Sequence, residues 1–241
     1  MPITPSRFDI WFITRLAKFL GRYPTLDLGV QSAIRHHVFG GFWFAACLFV
    51  FWNLGARPGG DRVRRRVLTI LIGSTVAIAL ALLFGALFSW LPPSLNPVLA
   101  HYYPSYLSLN INVNSFPSES TALYAAVAAG IFSLNKAVGS GLWVGVGVLV
   151  SLPRIYVGGH YPTDVFVGLL LGLLGYFGVR TWLEPRLDRY IPSLFGQTRG
   201  LCVLGEFVVF VWILQIAVEF KEFVWIKGIL ELFAHKVASH S

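Results

Sequence analysis

Long apolar runs separated by short polar clusters dominate the chain from position 38 onward, at 38–54, 67–91, 120–135, 137–152, 162–183 and 201–220. A helix rises 1.5 Å per residue and needs about 20 apolar residues to cross a hydrocarbon core of ~30 Å. The runs therefore predict an all-α, polytopic membrane helix bundle of five or six transmembrane helices, occupying residues 37–220. The run at 38–54 lies near the short limit for a span. Glycines recur along the central runs, at Gly139, Gly141, Gly145 and Gly147, then at Gly168, Gly172, Gly175 and Gly178. Small residues at such spacing let helix backbones approach closely in lipid, and they are assigned to packing, with no cofactor role.

The two ends of the chain read differently. In residues 1–36, Arg7, Arg15, Lys18 and Arg22 interrupt Phe8, Ile10, Trp11, Phe12, Leu16, Phe19 and Leu20. A secretory signal lacks this mixture, and the pattern predicts an amphipathic helix lying in the membrane interface. A competing reading makes 8–23 a short charged span. Residues 221–241 form a mixed tail, expected at the surface.

Charge supplies the orientation. Arg57, Arg62, Arg64, Arg65 and Arg66 crowd one short connection, and by the positive-inside tendency that connection belongs in the cytoplasm. Alternating the spans from there also places Arg180, Arg186, Arg189 and Arg199 inside, and puts the connections at 92–118 and 153–161 outside. Composition agrees with a membrane protein: of 241 residues 56% are hydrophobic and 12% charged, with a mean hydropathy of +0.67. The formal charge of +8 resides in arginines flanking apolar spans, which suits anionic headgroups and argues against a nucleic-acid partner. Cys47 and Cys202 fall inside apolar runs and suggest no disulfide.

The candidate chemistry sits at residues 151–164, Ser-Leu-Pro-Arg-Ile-Tyr-Val-Gly-Gly-His-Tyr-Pro-Thr-Asp, between two apolar runs. An arginine grips a phosphate through its planar fork, a histidine serves as nucleophile or acid/base, and a nearby carboxylate can fix the imidazole tautomer. Pro162 suits the first turn of a helix, which would set Asp164 one turn past His160. Spacing alone leaves two readings: a catalytic cluster of Arg154, His160 and Asp164, or a polar turn joining two membrane helices.

The run Arg154-x5-His160-x3-Asp164 followed by an apolar helix resembles the third signature of the type 2 phosphatidic acid phosphatase superfamily. The resemblance implies that His160 attacks phosphorus, Asp164 orients it and Arg154 binds phosphate oxygens, with no metal or other cofactor. Upstream, Asn114-Ser-Phe-Pro-Ser-Glu-Ser-Thr-Ala-Leu-Tyr124 resembles the second signature, usually Ser-Phe-Pro-Ser-Gly-His. Pro117 and Ser118 match, while Glu119 and Ser120 replace the glycine and the histidine. Ser118 is a suitable N-cap, and helix-start amides around Ser118 and Ser120 can cradle phosphate oxygens whatever the side chain. The family's histidine protonates the leaving group, a task for which serine is too weak an acid. Glu119 takes that role if burial and the phosphate's charge raise its pKa; otherwise it is a solvated residue of a helix first turn.

The family's first signature is Lys-x6-Arg-Pro. Ser89-x6-Asn96-Pro97 holds the same spacing here, with both cations replaced by neutral groups and Asn96 placed to bind phosphate. The connection at 101–114 adds Tyr102, Tyr103, Tyr106, Asn110, Asn112 and Asn114. Interfacial aromatics explain its tyrosines, and the asparagines suit either the same interface or a polar headgroup pocket. The resemblance covers about 89–178. It implies phosphoryl chemistry on a lipid phosphate or polyprenyl (di)phosphate through a phosphohistidine at the extracytoplasmic face of the plasma (inner) membrane. Transfer to a hydroxyl acceptor, and non-enzymatic binding or transport of a lipid phosphate, are the alternatives.

Overall fold

The computed structural model describes residues 5–35, 38–88, 90–107, 114–186 and 199–220. The helices are α1 (Arg7–Leu16), α2 (Pro24–Arg35), α3 (Val38–Leu54), α4 (Asp61–Leu87), α5 (Glu119–Leu134), α6 (Lys136–Gly145), α7 (Leu152–Tyr156), α8 (Pro162–Trp182) and α9 (Arg199–Ala217). Three stretches are long and apolar enough to cross a bilayer: Asp61–Leu87, Lys136–Tyr156 and Pro162–Arg186. Gly40–Leu54, Glu119–Leu134 and Val203–Ala217 are shorter apolar helices. The protein is an all-α integral membrane protein. Its exposed surface carries Leu82, Leu83, Val144, Phe166, Leu174, Val203 and Phe207, side chains that lipid solvates and water would not.

α5 is the axis of the bundle. Every residue from Ala122 to Ala128 is fully buried, because α4 and α8 pack along it and along each other, while α3 and α6 cover it further. Alanines on α5 and glycines on α8 bring the two backbones together. A Cβ added at Gly172 would lie 2.4 Å from the Ala122 carbonyl oxygen, and one at Gly168 would lie 2.6 Å from the Ser118 carbonyl oxygen. Without a hydrophobic drive between helices in lipid, this close packing is what associates them. The packing role holds for Gly139, Gly168, Gly172 and Gly175, whereas Gly141, Gly147 and Gly178 face open space.

At the start of α4, Arg64, Arg65 and Arg66 are paired with acids distant in sequence. Arg64 meets Glu206 of α9 at 2.5 Å, and Arg66 meets Glu184, just past α8, at 3.0 Å. The other end of α4 leads into Trp90, which belongs to the site described below. The basic cluster and the site thus occupy opposite ends of a helix ~40 Å long.

Residues 5–35 do not form a span. α1 starts at a capping box, Ser6 with Asp9, and stops after ten residues, and α2 is a second, separate short helix. Over 8–23 the helical part is the ten-residue α1, shorter than the about 20 residues that a straight span needs. Both helices pack on the site end of the bundle, α1 against α7 and α8 and α2 against α3 and α7. The tail at 221–241 lies outside the described residues.

Replacing Gly172 by leucine inserts a side chain where Ala122 O already sits. We expect a loss of roughly 1–3 kcal/mol or failure to assemble, read as a lower thermal midpoint in detergent, while Gly178→Leu leaves the midpoint unchanged.

Candidate active site

The site lies where the ends of α4 and α7 meet the starts of α5 and α8. Along α6 the helix widens to π geometry over Val146–Ser151, with the Leu152 amide reaching back to Gly147 O. Pro153, which has no N–H to give, follows in the first turn of α7. Wide turns of this kind concentrate at functional positions, and this one introduces Arg154. After α7 the chain turns sharply at Gly158, whose φ of +76° favours glycine. The Gly159 and His160 amides both reach back to Arg154 O, at 2.9 and 3.3 Å. Arg154 and His160 are thereby held in one tight turn.

α8 begins at Pro162, as its sequence predicts. Asp164, in the first turn, is fully buried and accepts the Tyr161 amide at 2.8 Å and Trp90 Nε1 at 3.0 Å. Its own carbonyl accepts the Ser118 amide at 3.2 Å. One residue therefore joins the end of α4, the start of α5 and the start of α8. His160 Nδ1 lies 2.6 Å from Ser115 O and 3.8 Å from Asp164 Oδ2. The acceptor that orients the imidazole is thus the Ser115 carbonyl, not the Asp164 carboxylate, which is turned to Trp90 and Tyr161. A carbonyl only accepts, hence Nδ1 carries the proton and the neutral ring keeps its lone pair on Nε2.

Ser115 is fixed in turn. Its amide donates to Trp90 O at 3.0 Å, and the Trp90 and Phe116 rings pack 4.3 Å apart. Asn114 clamps this corner: Oδ1 accepts the Trp90 and Phe116 amides and Nδ2 donates to Gly85 O. Asn114 therefore braces the fold instead of lining a headgroup pocket, and Asn110 and Asn112 lie outside the described residues.

The second-signature positions divide. Ser118 occupies the N-cap of α5, but its hydroxyl makes no cap bond; it meets Thr121 Oγ1 at 2.8 Å, which in turn lies 3.3 Å from Ser151 Oγ. Its amide is engaged by Asp164, leaving the first-turn amides of Glu119, Ser120 and Thr121 as the group able to cradle an anion. Glu119 is exposed. Ser120 is buried and accepts from Arg154 Nη2 at 2.6 Å. The carboxylate beside Arg154 is Glu219, just past α9, with Nη2 donating to its two oxygens at 2.6 and 2.7 Å.

Of the first-signature positions, Ser89 lies outside the described residues. Asn96 directs Nδ2 to the Tyr161 hydroxyl at 3.0 Å and Oδ1 to the Val98 amide at 2.9 Å, so both ends of its amide brace the loop rather than a phosphate. Burial pushes the Tyr161 phenol up to about 12, which keeps its proton on at neutral pH. Among the described residues no three His, Cys, Asp or Glu side chains gather to hold a metal.

Asp9 and Asp27, unremarked in the sequence, complete the site end. Asp9 accepts the Thr163 amide at 3.0 Å and its hydroxyl at 2.9 Å, capping α8 from another helix. Asp27 accepts from the Tyr106 and Tyr156 hydroxyls. The spacing Ser6-x2-Asp9 is a local sign of a helix start, but no local pattern points to Thr163 as the second partner of Asp9.

A buried arginine, an oriented imidazole and a helix N-terminus thus converge at one end of an all-α membrane bundle. The PAP2 superfamily model matches residues 66–188, and the chain belongs to that superfamily as a membrane lipid phosphatase. It is 32% identical over 152 residues, 61% of this chain and 68% of the relative, to the bacitracin transport permease protein BcrC of Bacillus licheniformis. It is 24% identical over 149 residues, 60% of this chain and 72% of the relative, to the undecaprenyl-diphosphatase BcrC of Bacillus subtilis (strain 168). The crystal structure of Aquifex aeolicus LpxE shares the fold at a TM-score of 0.57 and 21% identity, covering 76% of this chain and all of that one.

Asp9→Ala removes the cap that α1 supplies to α8. We expect a loss of about 1 kcal/mol in thermal stability and a several-fold fall in turnover, because the Tyr161–Asp164 turn loosens while Arg154 and His160 are retained.

Proposed function

We propose that this enzyme hydrolyses the terminal phosphate of a polyprenyl diphosphate at the extracytoplasmic face of the plasma (inner) membrane, through a phosphohistidine on His160. The observation that carries the reading is the pairing of an Nε2 lone pair on His160 with a buried Arg154 in one tight turn. His160 Nδ1 donates to Ser115 O, which holds the ring with Nε2 as the attacking atom. Arg154 and the first-turn amides of α5 bind the equatorial oxygens of the phosphoryl group as charge moves onto them. Water then attacks phosphorus and frees His160. Asp164 acts by fixing the Tyr161 turn and Trp90 around His160.

The substrate class is supported by the B. subtilis relative, named an undecaprenyl-diphosphatase. It is supported also by the site's position at the end of apolar helices, where a diphosphate on a long hydrocarbon chain meets the headgroup level. Six apolar helices, α3, α4, α5, the α6–α7 unit, α8 and α9, serve as the spans, and α1 and α2 lie in the interface. The orientation follows from the arginines paired with Glu184 and Glu206, which the positive-inside tendency assigns to the cytoplasm, with the site at the far end of α4.

The chemistry is tested by His160→Ala, which should cut release of inorganic phosphate from undecaprenyl diphosphate by about 10³-fold or more without lowering the thermal midpoint. Arg154→Lys should be severely impaired as well, since an ammonium lacks the planar fork. Wild-type turnover by the His160 variant would end the reading.

Sidedness has its own test. In a background free of Cys47 and Cys202, Gly159→Cys should react with an impermeant thiol reagent added outside intact cells and Gly60→Cys should not. The opposite pattern inverts the orientation.

A further inference from the structure

The feature that the proposed chemistry leaves unexplained is Glu219. It stands one residue beyond the final turn of α9 in a Schellman arrangement, with the Phe220 amide on Gln215 O at 2.9 Å and the Glu219 amide on Ile216 O at 3.2 Å. The residue at that position is left-handed and usually glycine. Here it is a glutamate at φ +57°, followed by Phe220 at φ +55°. A side chain held in so unfavourable a backbone conformation points from strain to function.

Its surroundings say which function. The Glu219 side chain is 5% exposed and receives Arg154 Nη2 on both oxygens, while Ser120 Oγ donates to Oε2 at 2.7 Å. Ser120 holds the position at which the family's second signature carries its acid histidine, so the carboxylate lies against the residue that replaced it. The approach is built in from two other helices. Tyr124 of α5 donates to Ile216 O at 3.0 Å, and at Gly41 of α3 a Cβ would lie 2.1 Å from Ala217 O, so only glycine lets α9 end there. The groups that meet Glu219 include the Arg154 cation from α7 and the Ser120 hydroxyl and Tyr124 phenol from α5.

We propose that Glu219 is the general acid of this enzyme, taking up a proton as the substrate's diphosphate binds and giving it to the bridging oxygen. The assignment rests on the phosphohistidine reading above. Without substrate, Glu219 and Arg154 neutralise each other. A diphosphate entering beside them adds negative charge next to the carboxylate, which favours its protonated form. Arg154 then turns from the carboxyl to the phosphoryl oxygens. His160 Nε2 bonds to the terminal phosphorus as the bond to the bridging oxygen breaks, and the Glu219 proton passes to that oxygen as the polyprenyl monophosphate leaves. Water next attacks the phosphohistidine. Glu219 takes a proton from the water, the N–P bond breaks with its electron pair returning to His160, and inorganic phosphate departs. The proton also offsets charge that two signature cations would otherwise balance, at positions held here by Ser89 and Asn96.

The experiment is rapid-quench kinetics on the full chain in detergent, with undecaprenyl diphosphate labelled in its terminal phosphate, comparing wild type, Glu219→Gln and Glu219→Gly across pH. Glutamine keeps the shape and cannot donate an acidic proton; glycine suits the left-handed turn, which offsets part of the stability lost when Arg154 loses its counter-charge, and the thermal midpoint of both variants is recorded beside the rates. Both variants should form the acid-labile phosphoenzyme about 10²-fold or more slowly, with kcat reduced and KM unchanged or lower. The fall of the wild-type rate at high pH should disappear in Glu219→Gln. Phosphoenzyme formation at the wild-type rate in either variant overturns the assignment, as does a rise in kcat/KM, which would make the carboxylate an obstruction. Absence of any His160-dependent phosphoenzyme in the wild type would instead remove the underlying mechanism.

Discussion

A carboxylate buried without water must find donors, and Asp164 finds them on elements that would otherwise have no reason to meet. Trp90 follows α4, Tyr161 precedes α8, and the Asp164 backbone carbonyl takes the Ser118 amide before α5. Loss of any one donor leaves a buried charge partly unsatisfied, at a cost of a few kcal/mol. The three helices packed most closely are those whose ends this residue gathers. Their glycine and alanine faces set the separation along the bundle, and Asp164 sets the register at its end. The Ser115 carbonyl that orients His160 is in place because Trp90 is, and Trp90 is in place because Asp164 accepts its indole.

Charge in the molecule is divided between the two ends, and each end solves a different problem. At the start of α4, arginines are matched by Glu184 and Glu206, which turns a basic connection into ties between α4, α8 and α9. At the opposite end Arg154, the one buried arginine among the described residues, is matched by Glu219 and by the Ser120 hydroxyl. An anion pocket with so little fixed positive charge must supply compensation in another form. In the proposed chemistry the amides at the start of α5 provide part, and a carboxyl group that gains a proton provides another part without a permanent buried cation.

The short helices before the bundle belong to the same end. Asp9 caps α8 between the residues that bear the site, and Asp27 ties the tyrosine that follows Arg154 to the loop at Tyr106. The aromatic side chains of α1, Phe8 and Trp11, remain exposed while Asp9 and Ile13 are buried. α1 thus turns its aromatic side chains outward and braces the turn before α8 with its other side.

The apolar runs alone determined that this chain is an all-α membrane protein, since a run of helix length in lipid has no other way to satisfy its backbone. The turn at 154–164 likewise announced its arginine, histidine and aspartate, because three ionisable residues between apolar helices require a use. Tertiary structure decided what each of them touches. Spacing put Asp164 within reach of His160, but the donors from Trp90 and Tyr161, distant or on the backbone, claimed the carboxylate and left the imidazole to Ser115 O. Glu119 drew notice because it sits in the altered signature; it proved exposed, while Glu219, far along the chain past α9, reached Arg154. An acid near the end of an apolar helix was the local sign of Glu219. Its partner was set by the left-handed turn and by the glycine contact that lets α9 close on α3, which are properties of packing that no linear pattern encodes.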